Sequence, residues 1–193
     1  MRERICQVFC VSPMSEANKY LGLPSLWGRS KKRLLSGLRD RIMDKLDGWK
    51  GKLLSSGGKE VLIKAVAQSL PTYTMSLLRL PKFFSKEITS AIHSFWWSNG
   101  RGAKGISWVK KEELAKLKVN GGLGFRDLCL FNSALLAKQA WRFHSQPNAL
   151  WVRILSGIYL KKVLFLHASH SSYASLSWKS LLHGRDIFNR HAK

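Results

Sequence analysis

Carboxylates are the residues with most to offer chemistry, and the chain is poor in them: 11 Asp and Glu stand against 33 Lys and Arg in 193 residues. Phosphoryl transfer by two metal ions needs acids converging within a few ångströms, because the ions must bridge nucleophile and leaving group. Asp40, Asp44 and Asp47 fall at i, i+4 and i+7 of a helical pattern and gather on one face. Arg39, Arg41 and Lys45 interleave with them, so surface ion pairing is the better reading. Glu112-Glu113 is the one adjacent acidic pair, and among lysines it reads as the solvated start of a helix. No catalytic metal centre follows, and no cofactor is expected.

Other constellations have equally plain readings. Cys6 and Cys10 with His167 and His170 have loose spacings for zinc and lie at opposite ends of the chain; the cysteines fit a short apolar strand or helix end better. Serines and histidines lack the G-x-S-x-G context of a nucleophile. Gly121-Gly122-Leu123-Gly124 lacks the G-K-[ST] ending of a phosphate loop, and is read as a turn that sets the start of the next helix.

The bases carry the stronger signal. A formal charge of +22 is far beyond what solubility requires and suits a polyanionic partner. From Arg29 to Lys64 eleven Lys and Arg face four acids, and from Gly121 onward ten bases face only Asp127 and Asp186. Excess in both halves points to an extended contact surface. The candidate phosphate-contacting residues are Lys31, Lys32, Arg33, Arg39, Arg41, Lys45, Lys50, Lys52 and Lys59. Trp27, in a loop leading into this stretch, is a candidate for base stacking. Trp49, Trp96, Trp141, Trp151 and Trp178 lie on inferred helices and are expected to pack in the core.

These residues must be held by helices. Leu34, Leu35, Leu38, Ile42, Leu46 and Trp49 recur at three- and four-residue spacings, predicting an amphipathic helix over 31–49 with a basic outer face. After the Ser55-to-Gly58 break, Val61, Leu62, Ala65, Val66 and Leu70 form a second stripe ended by Pro71, and 72–80 predicts a short helix stopped by Pro81. Phe84, Ile88, Ile92, Phe95 and Trp96 mark a further helix, 98–105 a loop, and Ile106–Val109 a short strand. Leu128 to Phe143 and Leu150 to Ile158 follow helical spacing on either side of Pro147. A final pair of helices is expected around 178–182 and 186–190.

The fold class is therefore mainly α: an irregular helical bundle in one or two lobes, with at most a short strand or hairpin. No apolar run nears the roughly 18 residues of a membrane span, and none follows Met1 as in a secretory signal. Three cysteines, an odd number, suit a reducing compartment. An intracellular site, nucleus or organelle, is expected.

An ordered set of short motifs adds a resemblance. Tyr20-Leu-Gly-Leu-Pro24, Gly48-Trp-Lys-Gly-Lys-Leu-Leu-Ser55, Gly58-Lys-Glu-Val-Leu-Ile-Lys64 and Leu70-Pro-Thr-Tyr-Thr-Met-Ser76 are followed by Phe95-Trp-Trp97 and Gly121-Gly-Leu-Gly-Phe-Arg-Asp127. Phe131-Asn132, Ala134-Leu-Leu-Ala-Lys-Gln-Ala-Trp-Arg142 and Trp178-Lys-Ser-Leu-Leu182 complete it. The set resembles the region C-terminal to the polymerase palm in plant non-LTR (LINE-type) retrotransposon reverse transcriptases. It departs from that pattern at Lys111, where the family usually has a second Trp after Trp108, and at Asn18-Lys19, where a Gly is common.

The resemblance implies a fragment. In that family the palm, with its Tyr-Ala-Asp-Asp metal motif, lies upstream, and a zinc-binding segment and often a ribonuclease H domain lie downstream. Residues 1–19 would be an N-terminal extension, 20–110 a thumb-like helical region, and 111–193 a connector-like region. The implied role is non-catalytic backbone binding to a template-primer duplex, RNA-DNA hybrid or DNA, with a palm supplied by another chain as a further partner. The alternatives are a non-functional pseudogene product and a peripheral binder of anionic membranes through the 31–49 helix.

Overall fold

The stripe at Leu35, Leu38, Ile42 and Leu46 folds as expected into α1 (Lys31–Lys50), and all four side chains are buried. The structure, a computed structural model, describes residues 19–20, 23–24, 31–99, 105–160, 163–169 and 172–191. Before α1, β1 (Lys19–Tyr20) and β2 (Leu23–Pro24) pair antiparallel, with Tyr20 opposite Leu23. Ser55 starts α2 (Ser56–Leu62) by accepting the Gly58 N–H at 3.1 Å, satisfying one of the donors a helix start leaves open. This helix runs into a π-helical turn over Ile63–Ala67, closed by Gln68 N–H to the Ile63 carbonyl.

Pro71 and Pro81 each stand at a helix start, where a missing N–H costs nothing: α3 is Thr72–Leu77 and α4 is Lys82–Trp96. The strand expected at Ile106–Val109 does not form. That segment finds no strand partner among the described residues and leaves Ile106 and Trp108 exposed. After α5 (Lys111–Ala115), Gly121 (φ 78°) and Gly124 (φ 69°) take left-handed backbone. They fold the chain back so that Leu123 and Phe125 N–H both reach the Leu114 carbonyl. At Gly122 a Cβ would fall 2.1 Å from the Lys116 carbonyl oxygen, so the glycine-rich run is a turn packed on α5.

Asp127 then caps α6 (Leu128–Ser145), accepting from Cys129 N–H at 2.7 Å and Leu130 N–H at 3.0 Å. The last helices are α7 (Leu150–Tyr159) and α8 (Leu176–His191). The expected final pair is thus one continuous helix. Gly184, which favours a break when read alone, lies inside α8 because the α6 backbone passes there: a Cβ would sit 2.2 Å from the Leu136 carbonyl oxygen. Leu136 meets Gly184, Trp141 meets Phe188 and Phe143 meets Trp178, so α6 packs along α8 over much of its length.

Among the described residues two larger apolar clusters form, beside a small one around Leu78. One joins α1, the π turn, α3, α4 and α5 with Phe125 and Leu128; the other gathers Ala140, Phe143, Val152, Phe165, Trp178 and Leu182. The first runs past residue 110, and α6 contributes to both. The mainly α, irregular bundle expected from periodicity is what the chain forms. Replacing Gly184 by Ala is expected to destabilise the protein by about 1–3 kcal/mol through overpacking against α6. Gly157→Ala on α7, where nothing lies within 4 Å of the new Cβ, should instead gain up to about 1 kcal/mol from helix propensity. Urea unfolding of the two variants checks both signs.

Candidate nucleic-acid interface

A helix advances about 100° per residue, so its core stripe fixes where every other side chain points. In α1 that stripe places Asp40, Asp44 and Asp47 at the pole facing solvent, and all three are exposed. The bases are divided between the flanks. On one flank Arg39 reaches Asp40 at 3.2 Å and Glu87 of α4 at 3.4 Å, and Lys50 pairs with Asp47 at 2.6 Å. On the other, Arg41 and Lys45 are exposed, one turn apart, and meet no acid among the described residues; Lys52, just beyond the helix, is likewise exposed and unengaged there. The outer face, expected to be basic, is therefore an acidic ridge with basic shoulders. The side chains of Lys31, Lys32 and Arg33, and all of Trp27, lie outside the described residues.

Lys59 has a different fate. Its ammonium donates to the carbonyls of Ser98 at 2.5 Å and Trp96 at 3.3 Å, closing the C-terminal end of α4 where carbonyls lack helical partners. Partial burial lowers its pKa from the ordinary lysine value. Its donors point into the fold, away from any phosphate outside. Glu60 beside it accepts from Lys118 and Lys64, each at 2.7 Å, and takes two further cations out of the surface excess.

The aromatic residues divide as well. Trp178 is buried and stacks on Tyr159 at 4.6 Å, with Phe143 and Phe165 around it. Trp49, Trp96 and Trp151 pack half-buried against the two clusters. Trp141 does not join the core. Leu136, Ala140 and Phe143 fill the inward face of α6, and Trp141 points away from them with half its surface open.

Arg185 is buried, with its guanidinium on the carbonyls of Phe165 and Ala168 and on the Asp186 carboxylate at 2.6 Å. Charge counting in sequence could not separate this internal strut from surface bases. Buried polar Asn132 also escaped sequence reasoning as a determinant, although it lies in one of the short motifs. Among the described residues no group of three His, Cys, Asp or Glu gathers to hold a metal, and no helix is long and apolar enough to cross a membrane. Cys6, Cys10 and His170 lie outside the described residues, and His167 is exposed.

Fold and surface together define a strongly basic, mainly α-helical protein. No family model matches the chain. It is 44% identical over 123 residues to the "Uncharacterized mitochondrial protein AtMg00310" of Arabidopsis thaliana, a match covering 63% of this chain and 80% of that protein. The chain belongs to the same family as that mitochondrial protein. It is also 31% identical over 137 residues to the Arabidopsis "Putative ribonuclease H protein At1g65750", covering 71% of this chain but 22% of that much longer protein.

Hydrogen bonds from Lys118, then Lys64, hold the Glu60 carboxyl below its ordinary value. A carboxylate with a depressed folded pKa stabilises the fold above the unfolded pKa, near 4.3, and loses that contribution as pH falls through the folded value. Glu60→Gln is therefore expected to be less stable than the parent at pH 7. The gap should close progressively below about pH 4.3, as measured by denaturant midpoints over a pH series.

Proposed function

We propose that this chain is a non-catalytic remnant of a retrotransposon reverse transcriptase that binds the phosphate backbone of a template-primer duplex. Residues 20–110 would be its thumb-like region and 111–193 its connector-like region. The observation carrying this reading is the cationic surface left after internal pairing. Arg41, Lys45 and Lys52 remain exposed without an acid, and in 121–193 both acids are committed, Asp127 to a helix cap and Asp186 to Arg185. Cations arrayed this way neutralise phosphates without reading sequence.

The relatives support the origin. One is named as a ribonuclease H protein, and this chain aligns with about a fifth of it (22%), as a segment of a larger polyprotein would. The mitochondrial relative supports an organellar setting. Exposed Leu150, Ile154 and Ile158, one turn apart along α7, fit a segment shaped beside further protein.

The phosphate-contacting set on this reading is Arg41, Lys45 and Lys52, joined by Lys31, Lys32 and Arg33 at the start of α1, with Arg39 and Lys50 as lesser members and Lys59 set aside. Fluorescence anisotropy on a labelled RNA-DNA hybrid and a DNA duplex over a salt series tests it. Binding is expected to weaken steeply with salt and to differ little among sequences. Ala at Arg41, Lys45 and Lys52 should flatten the log–log slope by about one for each phosphate no longer neutralised, whereas Lys59→Met should lower stability and leave the slope alone. Salt-insensitive binding, or an unchanged slope in the triple variant, overturns the reading. Binding to anionic vesicles with none to duplex would assign the surface to a membrane instead.

A further inference from the structure

The outward face of α6 carries Ala134, Lys138, Trp141, Arg142 and Ser145, and all five are exposed. Trp141 is 50% exposed and rests against Phe188 of α8 at 5.5 Å between ring centroids, tilted by 47°. His144 lies at 6.2 Å. An indole this open on a helix with a well-filled inward face is not explained by packing, because the core contacts of α6 are complete without it. Lys138 lies three residues before Trp141 and Arg142 one turn after Lys138, so both cations sit to one side of the indole around the helix. Arg142 makes one long contact, 3.4 Å, to the Gln139 side-chain oxygen, and neither cation has an acid partner among the described residues.

We propose that Trp141, with Lys138 and Arg142, forms a stacking site for an unpaired base of single-stranded nucleic acid. An open aromatic face beside cations is the combination that holds single strands: the ring takes the base, which always offers a π face, and the cations take the adjoining phosphates. Charge complementarity selects a polyanion over a second copy of this chain, since self-association would bring two +22 surfaces together. The site rests on the reading that the chain binds nucleic acid, but it lies on α6, apart from the α1 shoulder, and it recognises bases where that shoulder recognises backbone.

The test uses the full chain and three labelled probes: an oligothymidylate, an abasic oligonucleotide of equal length, and a DNA duplex. Trp141→Leu keeps an apolar side chain against Phe188 but removes the aromatic face. It is expected to weaken oligothymidylate binding about 5- to 150-fold, the span of one stacked base, and to leave the abasic strand and the duplex unchanged. Trp141→Phe should recover most of the loss. Lys138→Ala with Arg142→Ala should reduce the salt slope on both single strands. Equal oligothymidylate binding by Trp141→Leu and the parent, or equal losses on the thymidylate and abasic probes, overturns the stacking site. Absence of single-strand binding with duplex binding intact overturns this site alone; absence of both overturns the proposed function as well.

Discussion

The arrangement depends on one buried amide. Asn132 of α6 is 4% exposed; its Nδ2 donates to the carbonyls of Met75 and Leu78, at 2.7 and 2.9 Å, and its Oδ1 accepts the Leu80 N–H at 2.9 Å. These are the backbone groups where α3 ends and the chain turns toward α4, groups no helix can satisfy. In a dry interior each would cost about 1–3 kcal/mol if orphaned. Four residues along α6, Leu136 lies against Gly184, and nearby the Ser180 hydroxyl accepts the Arg79 N–H. One side of α6 thus holds the α3–α4 corner while its continuation holds α8, which joins the two apolar clusters through one rigid element.

That scaffold decides how the positive charge is used. A fold with few acids commits them: Glu60 to Lys64 and Lys118, Glu113 to Lys116, Asp186 to Arg185, Asp127 to a helix start. Some bases also turn inward, Lys59 onto carbonyls at the end of α4 and Arg185 onto carbonyls around Phe165. The remaining surface cations are fewer than the formal charge suggests, and they are grouped. Surface ion pairs such as Arg39–Glu87 contribute little to stability in water, so they compete only weakly with a polyanion for the same bases.

The kinship to an Arabidopsis mitochondrial protein and to part of a longer relative named for ribonuclease H gives this charge pattern a history. On the proposed reading, the exposed α7 stripe is apolar surface of the kind that a segment shaped beside further protein carries. The basic shoulder of α1 and the open indole of α6 are on other elements, so they do not draw on the same contacts.

Helix placement was legible in the sequence wherever apolar residues recur at three and four positions between prolines, glycines and capping residues, because those signals act within a few residues. The α1 stripe, the Pro71 and Pro81 boundaries and the turn at Gly121–Gly124 are of this kind. The basic outer face read for α1 was only partly so, since it weighed charges without fixing the angle of each about the helix; that angle follows once the buried stripe is known and puts the three aspartates outermost. What tertiary structure alone decided is which polar groups meet across the chain. Asn132 finds carbonyls more than fifty residues away, Lys59 finds the end of α4, Gly184 continues a helix because another backbone passes beside it, and Trp141 stays outside because α6 was already filled. Such pairings join residues far apart in sequence, and only the packed fold sets their distances.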